Sequence, residues 1–227
     1  MQSLHPAFTS PRYQEAILAS GPLRYYRCNE TSGTLLRDLC RTADMTISGT
    51  PTKRGANGAP GVADSAGFQT TSGSGGFASA AAAALPTTAY TLAAWTFGGS
   101  VSDRGIFGQW QANVGALIYR SSATKLAFIH RGTNLIASNT NDGNWHFAVG
   151  TWDGTNVRLY VDGVLRGGPS ANSTAAGSTG SWTINTYTVT SNNALRITTG
   201  ITSECVLWPR ALSVAEIDYF YALGSGR

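Results

Sequence analysis

The sequence predicts an all-β chain: one two-sheet antiparallel β-sandwich, with a short helix before it and another after it. Three observations carry that prediction. Turn-forming and β-forming residues dominate the composition, apolar residues alternate with a period of two along the longer segments, and Asp-Gly pairs punctuate those segments. The 227 residues are 42% hydrophobic and 12% charged, with 27 glycines. A chain of this length buries roughly 70% of its unfolded surface, enough for one large core. Sandwiches commonly use about 200–250 residues as one domain. The organisation expected is an arm and short helix over residues 1–21 and the sandwich over 22–227.

Along the chain, Met1–Thr9 reads as an irregular arm. Ser10 followed by Pro11 is the expected helix cap and first turn, Tyr13, Ile17 and Leu18 give that helix an apolar stripe, and Gly21-Pro22 stops it. From Leu23 the grammar changes to strands. Leu23–Asn29, Met45–Ser48 and Gly67–Thr70 are short candidates. Tyr90–Phe97 is the first long one, with Leu92 and Ala94 on one face and Trp95 and Phe97 on the other. Gly105–Trp110, Ala116–Arg120 and Lys125–His130 continue the series.

The clearest stretch is Asn144–Gly167. Trp145–Trp152 is a strand, Asp153-Gly154 a turn, Asn156–Val161 a strand, and Asp162-Gly163 a second turn into Val164–Arg166. Asp-Gly between alternating strands marks a hairpin, because the tight turn needs the positive φ that glycine tolerates. Val157, Leu159 and Val161 share one face, Arg158 and Tyr160 the other. Residues 168–181 are nearly all small and polar and read as a mobile loop. Trp182–Val189, Ala194–Thr199 and Ile201–Trp208 are the last strands. A terminal helix then starts at Leu212, with Ser213 and Glu216 forming a capping box and Gly224 ending it.

Charge and cysteine usage narrow the function classes. The net charge of +4 comes from dispersed arginines (Arg12, Arg24, Arg37, Arg54, Arg104, Arg131, Arg158, Arg196), without the stripe of basic and aromatic residues a nucleic-acid binder needs. Cys28, Cys40 and Cys205 lack metal-ligand spacing. Buried free thiols are the plain reading, with a Cys28–Cys40 bridge left open. The first residues lack the basic-then-apolar pattern of a secretory signal, and no apolar run reaches the roughly 20 residues of a membrane span. Synthesis in a cytoplasm without ordinary export, and no membrane insertion, are therefore expected.

The order of motifs resembles the LamG-like jelly-roll family of the concanavalin A-like lectin/glucanase superfamily. Asp142-Gly143-Asn144-Trp145-His146-Phe147-Ala148-Val149, Trp152-Asp153-Gly154 and Leu159-Tyr160-Val161-Asp162-Gly163 carry the resemblance. Tyr90–Trp95 and Gly105–Gly108 look like its early strands, and Val206–Ser213 like its closing strand and helix cap; the likeness spans residues 22–222. It implies a jelly-roll sandwich in which tryptophans and tyrosines fill the space between the sheets. It is specific for fold and not for function.

Hydrolysis by the glucanase branch needs two carboxyls on one face, about 5–5.5 Å apart for retention and about 6.5–9.5 Å for inversion. The only glutamates are Glu15, Glu30, Glu204 and Glu216, and the one with an acidic neighbour two residues away, Glu216 before Asp218, sits in the expected terminal helix, where positions two apart do not share a face. No catalytic residue is therefore assigned, and His146 reads as a hydrogen-bonded support. No cofactor or metal is expected. Calcium is the one alternative, since some relatives bind it, but Asp142, Asp153 and Asp162 each precede glycine and are explained by turns. Trp110, Tyr119, His130 and Arg131 are the candidate glycan-binding residues, because lectin-like sandwiches present aromatics beside polar groups.

The function expected first is a non-enzymatic structural or decoration protein of a virus particle, a tailed bacteriophage. Arg12–Leu18 and Gly21–Arg27 resemble openings of LamG-like modules in phage virion proteins. The arm is expected to dock on a neighbouring subunit through Leu4, Pro6 and Phe8. Expected partners are other capsid or tail proteins, further copies of this chain and a host-surface glycan, with the virion as location. The alternative is a free carbohydrate-binding module or adhesin at a cell surface.

Overall fold

Alternation sorts the side chains of each long strand onto two faces, so the partner of each face decides the architecture. A computed structural model describes residues 12–49, 53–62, 66–69, 76–81, 83–98, 103–110, 113–140, 142–177, 180–187 and 200–227. The elements are α1 (Tyr13–Ala19), β1 (Arg24–Tyr26), β2 (Leu35–Leu36), β3 (Met45–Ser48), β4 (Lys53–Asn57), β5 (Ala66–Gln69), β6 (Phe77–Ala80) and β7 (Tyr90–Phe97). They continue with β8 (Arg104–Gln109), β9 (Ala116–Ser122), β10 (Lys125–His130), β11 (Thr133–Ser138), β12 (Trp145–Trp152) and β13 (Asn156–Val161). The last are β14 (Val164–Ala171), β15 (Trp182–Ile184), β16 (Ile201–Trp208) and α2 (Val214–Ser225).

Two antiparallel sheets form the sandwich. The first runs β14-β13-β12-β7-β16-β5-β4, with β1 also pairing β16; the second runs β11-β10-β9-β8-β15-β6-β3-β2. Leu92, Ala94, Ala148, Trp152, Val157, Leu159 and Val161 of the first sheet meet Ile106, Ile118, Leu126, Phe128, Trp182 and Ile184 of the second in the main core. Gly150 lets the two sheets close, since a Cβ there would strike the Phe128 ring.

The opposite face of the first sheet is buried too. Trp95, Phe147, Val149, Tyr160 and Trp208 pack beneath Tyr13 and Ile17 of α1 and Ile217 and Phe220 of α2. The indoles therefore divide: Trp152 and Trp182 lie between the sheets, whereas Trp95 and Trp208 lie between the first sheet and the helices. The expectation that the tryptophans all fill the intersheet space is corrected here. Trp208 stacks on Phe220 with ring centres 5.6 Å apart and donates to Ser20 Oγ at 2.7 Å, tying both helices to β16.

Other local expectations shift at their boundaries. α1 starts at Tyr13 with Arg12 at its cap position, and the expected cap at Ser10-Pro11 lies outside the described residues. Ser213 and Glu216 close the capping box of α2 as expected, but the helix runs through the buried Gly224, which packs against Trp95. It ends at Gly226 in the left-handed region. β14 extends to Ala171, so the first part of the segment expected as a mobile loop is strand. Beyond it, Asn172 N donates to Thr155 O and Gly177 N to Val114 O. β15 stops at Ile184, and the expected strand Ala194–Thr199 lies outside the described residues. β2, β4, β6 and β11 were not expected. The thiols are free, Cys28 and Cys205 buried and Cys40 half-buried, which removes the Cys28–Cys40 bridge.

Candidate functional site

The site grows from the start of β12. Asp142 Oδ1 accepts the Asn144 amide at 3.0 Å, and Gly143 takes a positive φ of 81°, so a tight turn feeds the strand. Two strands later, Asp162 and Gly163 turn β13 into β14 with φ values of 56° and 79°. A strand, a two-residue turn and a returning strand bring Asp162 back beside the point where β12 began. There Asp162 Oδ1 accepts Phe147 N at 2.9 Å, and Asp162 N donates to Phe147 O at 3.0 Å.

His146 spans the two turns. Its Nδ1 lies 2.7 Å from Asp162 Oδ2 and its Nε2 3.0 Å from Asp142 Oδ1. Burial alone would depress the imidazole pKa, but hydrogen bonds and charge from Asp162 and then Asp142 outweigh it, and the pKa is raised. Asp142 is held down to about 2, first by hydrogen bonding from Asn144 and then by His146. Its side chain is 49% exposed, so an ionised carboxylate faces solvent.

Around this clamp lies a cleft of about 380 Å³, lined by Asp142, Asn144, Trp145, Asp162, Tyr221 and Arg227. Trp145 is half-buried and leans on Phe97 at 5.7 Å. Tyr221 is half-buried, stacks on Trp95 at 6.0 Å, and carries the Arg227 guanidinium 5.4 Å from its ring centre. Aromatic faces beside a fixed anionic acceptor suit a ligand with apolar C–H faces and hydroxyl edges. As a cation site the cleft is poor. One oxygen of each carboxylate is spent on His146 and calcium asks for six to eight oxygens. Among the described residues, no group of three or more His, Cys, Asp and Glu side chains is placed to hold a metal.

A second depression, at Arg37–Asp44, is organised by its own loop. Asp38 Oδ1 accepts from Tyr25 N and Cys40 N, and Oδ2 from Thr42 N, Thr42 Oγ1 and Ala43 N. This leaves Asp38 little capacity for a ligand.

The residues expected from sequence do not form one exposed groove. Trp110 and Tyr119 meet on the far face of the second sheet, each packed edge-on to Tyr187 at 6.0 and 5.6 Å, and are only 7% and 4% exposed. His130 lies on the other side of that sheet, 0% exposed, stacked on Trp152 at 4.9 Å. Its Nε2 donates to Thr174 O at 3.0 Å, so Nδ1 accepts from the Tyr90 hydroxyl at 2.5 Å. Burial pushes its pKa down to about 4. Arg131 is half-buried and donates to Ala175 O at 3.4 Å. His130 and Arg131 thus anchor the segment after β14 rather than facing a ligand. Leu4, Pro6 and Phe8 lie outside the described residues.

Sequence reasoning passed over the cleft, although it read Asp142–Val149 and Asp162-Gly163 as fold motifs. The available signal was their spacing: 20 positions, one strand out and one back, returns two Asp-Gly turns to one end of a sheet.

A family model described as the concanavalin A-like lectin/glucanases superfamily matches residues 71–218. No curated protein matches the sequence significantly. Similar solved structures include Trypanosoma rangeli sialidase in complex with a 2,3-difluoro-KDN (TM-score 0.62, 15% identity, 89% of this chain and 33% of that one). The binding domain of botulinum neurotoxin DC in complex with rat synaptotagmin II is another (TM-score 0.64, 12% identity, 90% of this chain and 52% of that one). The receptor-binding domain of the botulinum neurotoxin C/D mosaic serotype is a third (TM-score 0.67, 12% identity, 89% of this chain and 51% of that one). The chain spans about a third of the sialidase and about half of each toxin domain, and at these identities the likeness is one of fold.

Proposed function

This chain belongs to the concanavalin A-like lectin/glucanase superfamily, and from that premise we propose that it is a non-catalytic binding module whose cleft at the end of β12 holds a carbohydrate. The observation that carries the reading is one joint feature. Two half-buried aromatic rings, Trp145 and Tyr221, flank an ionised and half-exposed Asp142 that His146 holds in place. A pyranose presents C–H patches to rings and hydroxyl donors to carboxylates, so such a cleft meets both of its surfaces. The structural neighbours in complex with 2,3-difluoro-KDN or with rat synaptotagmin II supply an analogy of fold for this role.

The carboxylates argue for binding over catalysis. A glycosidic general acid needs a raised pKa, whereas Asp142 is held at about 2. Asp162 is spent on His146 and on the Phe147 amide.

The finer reading is a virion structural or decoration protein of a tailed bacteriophage, with the cleft turned towards a host-surface glycan. It rests on the resemblance of Arg12–Leu18 and Gly21–Arg27 to openings of phage virion modules. Stoichiometric recovery with capsid or tail proteins in purified particles is the expected result, read by mass spectrometry. Absence from the particles leaves the free adhesin.

The cleft itself is tested on a glycan array spanning neutral and acidic sugars. Saturable binding is expected, weakened about tenfold or more, roughly 1.4 kcal/mol, in Trp145→Ala. An array without binding removes the carbohydrate reading, and binding unchanged in Trp145→Ala moves it to another face.

A further inference from the structure

We propose that the end of the sandwich where β7, β8 and β9 meet is an oxyanion site centred on Arg120, which takes a carboxylate, sulfate or phosphate group of a ligand. The site shares no lining residue with the cleft and does not rest on the carbohydrate reading.

On β9, Ala116 and Ile118 point into the intersheet core, so the two-residue period points Arg120 inwards as well. Its side chain is fully buried. Nη1 donates to Thr140 O at 3.3 Å, while Nε and Nη2 meet no acceptor among the described residues. The ion-paired carboxylates are committed elsewhere, to Arg27, Arg37, His146, Arg158 and Arg210. Directly opposite Arg120 on β8 stands a second cation, Arg104, and facing like charges repel. On the other sheet Thr96, inward by the same parity as Leu92 and Ala94, is buried, and its hydroxyl has no partner among the described residues.

The pattern has a definite chemical complement. Burial holds the guanidinium pKa down to about 10, which still leaves it cationic at neutral pH. A buried charge without a counter-charge is costly, and water supplies acceptor lone pairs but no charge. An oxyanion supplies both, and the planar fork of Nε and Nη2 fits two of its oxygens. Access is from the strand ends, where Arg104, Ser121 and Ser122 are only half-buried.

The test uses the full chain at constant ionic strength, with chloride replaced in turn by acetate, sulfate and inorganic phosphate. The readouts are the Nε–Hε resonance of Arg120 and the melting temperature. A saturable shift of that resonance is expected with at least one oxyanion. The response to acetate against the two tetrahedral ions tells a carboxylate from a sulfate or phosphate group. Arg120→Met, which keeps the stem and removes the charge, should melt at or above wild type in chloride and lose the oxyanion-dependent rise. Comparing the two proteins in the same salt cancels the general stabilising effect of sulfate. Arg120→Lys should weaken the response about tenfold through loss of the fork. A resonance unmoved by all three ions overturns the proposal, whether or not the variants fold. So does a rise in melting temperature equal in wild type and Arg120→Met.

Discussion

At His146 both ring nitrogens meet carboxylates, whereas at His130 they meet a phenol and a carbonyl. The surroundings decide the sign of each pKa shift. Protonation of His146 strengthens its bonds to Asp142 and Asp162, so its folded pKa is raised. The stability it contributes is fully present below the unfolded value of about 6.5 and is lost as pH rises through the raised value. His130 is held neutral by burial at about 4, so between that value and about 6.5 the unfolded chain binds the extra proton. Acidification through that window therefore removes stability. In urea denaturation from pH 4 to 9, His146→Gln should steepen the acid loss and His130→Gln should flatten it. Identical profiles for the two variants would contradict these assignments. The neutral state of His130 also explains why it makes a poor glycan contact: its two hydrogen bonds are consumed in holding Thr174 and Tyr90.

Among the elements, β16 departs from regular pairing with β7. Its ladder with β7 shifts between Ser203 and Val206, and Glu204 sits there at φ 51°, a left-handed conformation that L residues rarely adopt. The irregularity is met by specific bonding. Glu204 is fully buried, accepts the Tyr25 hydroxyl, and lies 3.3 Å from Arg27 Nε, linking the strand to the chain segment around β1. Removing Glu204 leaves the Arg27 guanidinium, only 12% exposed, without this counter-charge. Glu204→Ala should therefore lose about 3–5 kcal/mol, measured by equilibrium denaturation. A loss below about 1 kcal/mol would mean the pair contributes little beyond an exposed one. Edge position accounts for three of the strands that sequence reasoning missed, β2, β4 and β11, whereas β6 lies inside its sheet. In β11, Leu135 and Ala137 are buried on either side of the exposed Ile136, but Thr133, Asn134 and Ser138 fill the ends and mimic a loop.

At the scale of the whole molecule, three layers share the first sheet. Its inner face joins the second sheet and its outer face joins the two helices, so the helices complete a second core. Truncation before Ser213 should expose Trp95, Phe147 and Trp208, which are at most 1% exposed in the intact chain. An apolar area of that size is worth several kcal/mol at about 25 cal/mol per Å². The truncated chain is expected to bind ANS and to melt over a broader range; a sharp transition without dye binding would show that the sandwich stands alone. The same truncation removes Tyr221 and Arg227 from the cleft. Folding and the proposed carbohydrate site are therefore coupled through α2.

The sequence by itself determined the all-β class, the hairpin from Trp145 to Gly163 and the Ser213–Glu216 cap, because these rest on local periodicity and turn stereochemistry; the family came from the resemblance of its motif order. Val157, Leu159 and Val161 face one way under any tertiary arrangement of that strand. Only the tertiary structure decided which partner each face meets. Trp95 and Trp152 are both apolar rings on long strands, yet one lies under a helix and the other between the sheets. Likewise His130 and Arg120, polar in sequence, are buried, while Asp142 and Trp145 stand at an open cleft. The reason is physical: a period of two tells a side chain's face, but burial and charge compensation depend on residues brought together from 20 to 180 positions away.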